Sequence, residues 1–418
     1  MNSSHDILII GGGTGGIMTA AQLLKKDKTL DIAIIEPADT HYYQPAWTLV
    51  GAGTYNYEDT AKPMKDLIPE GAKWIKDYAT KFNATENIVE TKNNGAIGYK
   101  YLVVSPGLVM DPKQIDGLEE SLGKGVVCSN YTDPKHTWEV IKNFKGGNAI
   151  FTQPTTPIKC GGAPQKIAYL AADYFRKNKI DSKVVFATPG SVLFGVKPIR
   201  DTLTRVVERY GMVFKPFYAP RHIDAKNKKI IFSYTGDDEN QCVTNESKEI
   251  GEKISGVANI EVPFDMLHIA PPQAAPKFVR DSELANKDGW LDVNINTLQH
   301  NKYPTIFGLG DVAGLPTAKT GAAIRKQVPV LVDNIFKLMS NQEANNDSYQ
   351  GYSSCPLVTG YGKMTLAEFD YEGNFTPDPK LKQMLVFNSA KEHWRLWMLK
   401  KYGLPYLYWN KMMKGEAV

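Results

Sequence analysis

Strands in this chain are marked by short runs of consecutive apolar residues, not by alternation. Ile7-Leu8-Ile9-Ile10 and Ile32-Ala33-Ile34-Ile35 are apolar at every position, which predicts parallel strands buried on both faces. Between them Met18, Ala21 and Leu24 recur at helical spacing, so the chain opens strand–helix–strand. The alternation returns after residue 160, with a helical stretch from Gln165 to Lys177 and then the strand Lys183-Val184-Val185-Phe186-Ala187. From Leu381 to Lys414 the pattern changes. Leu385, Phe387, Trp394, Trp397, Met398, Tyr402, the run Pro405-Tyr406-Leu407-Tyr408-Trp409 and Met412-Met413 are interspersed with lysines. Two short amphipathic helices broken near Gly403-Leu404-Pro405 fit this stretch. No apolar run approaches the roughly 18 residues needed to cross a bilayer.

The turns between these elements carry the chemistry. The first strand feeds Gly11-Gly12-Gly13-Thr14-Gly15-Gly16, which satisfies G-x-G-x-x-G at Gly11, Gly13 and Gly16, and Glu36 closes the second strand 20 residues beyond Gly16. Such glycines permit a tight turn and close backbone approach to a pyrophosphate, the following helix N-terminus supplies oriented N–H groups, and the acid accepts from a ribose hydroxyl. In the second unit the turn is Gly190-Ser191-Val192-Leu193-Phe194-Gly195, with Val192 in the middle glycine's place and Lys215 standing 20 residues past Gly195. A valine side chain blocks the approach that the middle glycine allows. NADH is therefore not expected to be the electron donor, unless a different contact set in this loop binds it.

A length of 418 residues suggests two or three domains. Four cysteines do not make a disulfide framework, so redox chemistry or plain burial accounts for them. Cys160 and Cys355 lie 195 residues apart, so any partnership between them is made by the fold. The net charge of +4 is uneven: Lys380 to Val418 holds eight Lys/Arg against Glu392 and Glu416, a local +6, leaving −2 for the rest. A neutral body with a basic tail is not a nucleic-acid-binding profile. Met1 to Asp6 is polar and runs straight into a strand, so no secretory signal is expected. Membrane contact, if any, is peripheral. The aromatic, lysine-bearing tail has the composition of an in-plane anchor, with Trp and Tyr at headgroup depth and lysines reaching phosphates. A dimerisation or core-covering helix pair is the alternative.

Two distant segments point to FAD as the dinucleotide. Tyr101-Leu102-Val103-Val104-Ser105-Pro106-Gly107 resembles the strand and turn that close over FAD in two-dinucleotide-domain flavoproteins, and Thr305-Ile306-Phe307-Gly308-Leu309-Gly310-Asp311 resembles their terminal Gly-Asp motif. A wider likeness runs over nearly the whole chain. The segments His41-Tyr42-Tyr43-Gln44-Pro45-Ala46-Trp47-Thr48-Leu49-Val50-Gly51-Ala52-Gly53, Pro157-Ile158-Lys159-Cys160-Gly161-Gly162-Ala163-Pro164-Gln165-Lys166, Ser353 to Tyr371, and Leu407-Tyr408-Trp409-Asn410 resemble sulfide:quinone oxidoreductase, in the branch that includes the mitochondrial enzymes.

The resemblance implies that Cys160 and Cys355 form a redox pair, bridged by a disulfide or an extra sulfur. Hydrosulfide attacks on the Cys355 side, leaving a persulfide there, and Cys160 is released as a thiolate against the flavin. Lys159 and Lys166 flank Cys160 and either lower its pKa or are solvated surface lysines; the likeness favours Lys166 at the active-site cavity. FAD contacts are expected at Gly11, Gly13, Gly16, Glu36, Gln44, Pro106, Asp311 and Lys319, and the quinone side at Pro356, Tyr361 and Lys400. Cys128 and Cys242 are read as non-essential and incidental, Glu120 as a solvated loop carboxylate, and no metal site is assigned.

The expected architecture is α/β, with two Rossmann-like dinucleotide-binding domains and a C-terminal membrane-associating helical region. The FAD domain is split over 1–118 and 286–345, the degenerate second domain occupies 119–285, and a quinone and membrane module occupies 346–418. The expected partners are hydrogen sulfide, a quinone, a sulfur acceptor (thiol, sulfite or polysulfide) and a lipid surface, at a bacterial cell membrane or the inner mitochondrial membrane, with homo-oligomerisation open. A type II NADH:quinone oxidoreductase and a flavocytochrome-type sulfide dehydrogenase are the alternatives, and a non-catalytic flavin-binding scaffold leaves the two cysteine contexts without a reason.

Overall fold

The computed structural model describes residues 3–237, 247–257 and 259–416; Cys242 lies outside them. The opening run forms β1 (Ser3–Ile10), followed by α1 (Thr14–Lys26) and β2 (Ile32–Ile35). The same sheet continues, farther along the chain, with β3 (Ala72–Ile75), β4 (Ala79–Asn83), β5 (Ile88–Thr91) and β6 (Ala96–Val104). The sheet runs β3-β2-β1-β6-β5-β4. β1 lies parallel to both β2 (Ile7 opposite Ile32) and β6 (Ile9 opposite Val103). Burial on both faces is why Ile7 to Ile10 carry no polar residue.

A second parallel sheet follows, built from β7 (Val127–Cys128), β8 (Gly147–Thr152), β9 (Ser182–Thr188), β10 (Val213–Pro216) and β11 (Met266–Ile269) in the order β7-β11-β8-β9-β10. Its helices are α2 (Ala163–Lys177) and α3 (Lys197–Tyr210). A four-stranded antiparallel sheet from Tyr218 to Pro263 is appended to it. The chain then returns to the first sheet through β12 (Ile306–Gly308), parallel to β6, and α4 (Gly321–Met339). The N-terminal half of β6 thus serves the β4–β5 hairpin side and its C-terminal half carries the return strand.

The last part is the hairpin β13 (Ser353–Gly360) and β14 (Lys363–Phe369), then a terminal helix: α5 (Trp394–Met398), a π-turn over Leu399–Gly403, and α6 (Leu404–Asn410). The expected break near Gly403-Leu404-Pro405 is absent. Met398, Leu399, Gly403 and Leu404 are all right-handed helical, and Pro405 falls in the first turn after the π-turn, where the i→i−4 ladder is already interrupted and its missing N–H is tolerated. The tail's apolar residues are also divided, not shared. Trp397, Tyr408, Trp409, Met412 and Met413 are buried, whereas Leu385, Phe387 (76 % exposed), Trp394, Met398, Tyr402 and Tyr406 face outward. Among the described residues no helix is long and apolar enough to cross a membrane.

Candidate active site

A cleft of about 860 Å³ runs between the first sheet, α2, α4 and the terminal helix. This is the size of a large ligand site. Its floor is the glycine turn. Gly11 has φ +98°, and a Cβ there would lie 2.5 Å from Ser105 O and 2.8 Å from Pro106 Cα. A Cβ on Gly16 would meet Gly11 O at 1.9 Å, but Gly13 faces open space. Two glycines thus close the turn and the third leaves room for a ligand against the N-terminus of α1. Glu36 is held at the cleft by N–H groups of Gly12 and Ala38, both at 2.7 Å. At the other end the N-terminus of α4 opens into the cleft beside Asp311, and Gly321 there is equally unobstructed. Burial raises the Asp311 carboxyl, while Lys159 and Lys319 oppose that rise. Lys319 donates to Ala313 O at 2.9 Å and sits 3.9 Å from the Trp290 ring centroid; burial brings its ammonium down to about 8. Gln44 accepts from Lys159 Nζ. The turn, the acid and two helix N-termini together fit a dinucleotide flavin, and each expected FAD contact except Gly11 and Gly16, which shape the turn from beneath, lines this cleft.

Cys160 sits where the cleft meets α2. It has a left-handed backbone (φ +53°), uncommon for a side-chain-bearing residue and costing about 1–3 kcal/mol. Three bonds hold it there: Cys160 N–H to Lys319 O at 2.7 Å, Ala163 N–H to Cys160 O at 2.7 Å, and the Tyr131 hydroxyl to Cys160 O at 3.3 Å. Its Sγ is 4.0 Å from Cys355 Sγ and accepts from Lys166 Nζ at 2.9 Å. Cys355 comes from β13, which packs on α2 close enough that a Cβ on Gly162 would lie 2.6 Å from its sulfur and 2.5 Å from Leu357 Cδ2. Cys160 faces the cleft and Cys355, 2 % exposed, lies behind it.

The two thiols are electrostatically unequal. The Cys355 thiol donates to Cys160, and with the Lys166 ammonium this holds Cys160 well below the usual thiol range in spite of its burial. Donation to Cys160, reinforced by burial, pushes Cys355 well above it. Burial works against the Lys166 charge, but the neighbouring sulfurs outweigh it and raise the ammonium. Lys166 is thus a buried partner of Cys160 and not a solvated lysine, whereas Lys159 remains half-buried at the cleft edge. Lys400 projects from the π-turn into the same cleft, 2 % exposed, and donates to Pro45 O at 2.7 Å; burial, with Lys166 nearby, brings it down to about 7.

Of the residues expected on the quinone side, Pro356 and Lys400 line the cleft. Tyr361 lies elsewhere, its hydroxyl donating to Ala52 O at 2.9 Å and its N–H to Asp173 at 2.9 Å. Cys128 is fully buried on β7 and pushed up to about 12 by burial, which is the state of an inert thiol. Glu120 is exposed, away from the cysteines. In the second unit Gln165 donates to Leu193 O inside the degenerate turn, and Lys215 forms a buried ion pair with Glu252 at 2.5 Å. Sequence reasoning missed Gly162 and Tyr131. The Gly161-Gly162 doublet beside Cys160 was a usable signal for the first; nothing local marks Tyr131.

Residues 5–334 match the family model of pyridine nucleotide-disulphide oxidoreductases. The mitochondrial sulfide:quinone oxidoreductase of Mus musculus is 37 % identical over 98 % of this chain and 87 % of its own length. That of Dictyostelium discoideum is 42 % identical over 98 % and 86 %. Among solved structures, the sulfide:quinone oxidoreductase of Aquifex aeolicus shares the fold at a TM-score of 0.75, with 20 % identity, covering 98 % of this chain and 92 % of that one.

Proposed function

This chain belongs to the sulfide:quinone oxidoreductase family, and we propose that its Cys160–Cys355 pair is the centre at which sulfide is oxidised. The chain is a flavoenzyme that oxidises sulfide and delivers the electrons to a quinone. The observation that carries the cysteine assignment is the unequal pair itself: two sulfurs 4.0 Å apart, with Lys166 bonded to one of them.

In the oxidised pair, hydrosulfide attacks Cys355 Sγ. The S–S bond breaks, Cys160 leaves as a thiolate, and Cys355 carries the new sulfur as a persulfide. Departure on that side is favoured because the better-stabilised thiolate leaves faster, and the Lys166 ammonium 2.9 Å from Cys160 Sγ supplies that stabilisation. A nucleophilic acceptor (thiol, sulfite or polysulfide) then takes the outer sulfur and returns Cys355 as a thiolate. Re-forming the Cys160–Cys355 bond releases two electrons, and needs the sulfurs to approach from 4.0 Å to about 2.05 Å. FAD supplies the two-electron relay between this pair and the quinone.

The quinone is assigned to the apolar lining of the cleft that includes Pro356, Leu366, Leu381, Met384 and Leu399. This lining adjoins in sequence the exposed Leu385 and Phe387. The outward aromatic face, with Arg395 over the Trp394 ring and Lys401 over the Tyr402 ring, supports peripheral membrane docking at the place where a lipid-borne quinone enters. NADH is not the donor in this reading: the second glycine turn carries Val192, is tied to α2 through Gln165, and has the Lys215–Glu252 pair where a ribose-binding acid would stand.

The test is anaerobic mixing with sulfide while the flavin spectrum is recorded, followed by a short-chain quinone. Bleaching by sulfide and recovery with quinone are expected, and both Cys160→Ser and Cys355→Ser abolish the bleaching. Bleaching by NADH without response to sulfide would overturn the assignment.

A further inference from the structure

The terminal helix does more than present an outward face. Leu404, Leu407 and Tyr408 on its other side, with Lys411, Met412 and Glu416 just beyond it, line the same cleft as Gly12–Gly15 and Glu36. The segment after it is packed tightly onto α1, since a Cβ on Gly415 would lie 2.9 Å from Ala21 Cβ.

Tyr408 makes the decisive contact. Its hydroxyl is 2.7 Å from Thr14 Oγ1, the first residue of α1, and 2.6 Å from His41 Nε2. His41 Nδ1 is 3.2 Å from Gly12 O. Burial brings His41 down to about 4, so the ring is neutral near pH 7 and has one N–H. A carbonyl can only accept, so the ring proton is on Nδ1 and Nε2 is the acceptor. The direction of every bond follows. Thr14 O–H donates to Tyr408, Tyr408 O–H donates to Nε2, and Nδ1–H donates to Gly12 O. The chain of bonds begins and ends on the glycine turn, so it clamps Gly12 and Thr14 relative to each other. The Tyr408 ring is fixed in turn against Tyr43, with centroids 4.5 Å apart.

We propose that Tyr408, acting through Thr14 and His41, is a positioning residue for the cofactor's diphosphate turn, so that one helix both retains FAD and presents the exposed aromatic face. The inference rests on the FAD cleft and is independent of the sulfur chemistry at the cysteines.

The test is FAD dissociation from the full-length protein, followed by flavin fluorescence, for Tyr408→Phe, Thr14→Val and the double variant. Phenylalanine keeps the ring packing and removes only the hydroxyl. A weakening of about fivefold is expected for Tyr408→Phe, the typical size of one net hydrogen bond. The double variant should weaken binding by less than the product of the single effects, because both remove the Thr14–Tyr408 bond. The melting temperature of the FAD-loaded protein should fall further than that of the FAD-free protein. Trp394→Ser, on the outward face of the same helix, should leave FAD affinity unchanged. Wild-type affinity in Tyr408→Phe would overturn the proposal. So would an equal loss of melting temperature with and without FAD, which would mark a purely structural contact. Sulfide-dependent bleaching of the FAD-saturated Tyr408→Phe protein is expected to persist, and its loss in the wild type would count only against the cysteine reading.

Discussion

Lys166 sets the two thiols apart. Its Nζ donates to Cys160 Sγ at 2.9 Å, and the proton the pair shares stays on Cys355. Lys166→Met is expected to move the appearance of the Cys160 thiolate to higher pH, measured by ultraviolet thiolate absorbance in the reduced protein. The sign follows from the geometry, because removing a cation from beside a thiolate raises its pKa. The rate of flavin reduction by sulfide should fall with it, since Cys160 becomes a poorer leaving group. Lys400 has the opposite problem: its hydrogen bond goes to the neutral Pro45 carbonyl, and burial lowers it to about 7. It is charged below that pH and neutral above it. If its ammonium serves the quinone, reoxidation of the reduced enzyme by a short-chain quinone slows as pH rises through about 7, and Lys400→Gln abolishes that dependence. A pH-independent wild-type rate would remove Lys400 from the quinone step.

At the scale of elements, the site is the meeting of α2 with β13. The helix begins at Ala163, immediately after the glycine pair, and Gly162 has no side chain because Cys355 Sγ occupies that space. Gly162→Ala introduces a methyl group 2.6 Å from the sulfur and 2.5 Å from Leu357. Overpacking of this kind costs about 1–3 kcal/mol. The variant is expected to melt several degrees lower and to reduce its flavin more slowly with sulfide, because β13 must move away from Cys160. The π-turn at Leu399–Gly403 works in the other direction, adding a residue to one helical turn so that Lys400 points into the cleft while Met398 and Tyr402 face out.

Across the whole molecule, cofactor retention and surface docking share the terminal helix, and this changes how a truncation reads. Removing everything beyond Lys380 is expected to release the protein from anionic vesicles and also to lose FAD, since Tyr408 and Met412 go with it. A surface variant carrying Phe387→Ser, Trp394→Ser, Tyr402→Ser and Tyr406→Ser separates the two. Vesicle flotation should be lost while FAD content and sulfide-dependent flavin reduction in detergent remain. Unchanged flotation would mean that the outward face does not bind lipid. Because basic residues surround that face, wild-type flotation should also weaken as salt rises.

What consecutive residues encode was readable directly. The apolar runs at Ile7–Ile10 and Ile32–Ile35 depend on local periodicity, and the turn at Gly11–Gly16 with Glu36 on glycine spacing, including the positive φ of Gly11; the FAD assignment rests on the likeness of segments 101–107 and 305–311 to those of flavoproteins. The two cysteines stood out by their neighbours. The tertiary structure decided the rest. Which cysteine holds the charge depends on where Lys166 points, and which tail aromatics are outward depends on a π-turn that no local pattern announced. The reach of Tyr408 to Thr14 joins residues 394 positions apart. Burial, pKa and the direction of a hydrogen bond are set by groups brought in from distant segments, so they are properties of the packed chain and not of any stretch of its sequence.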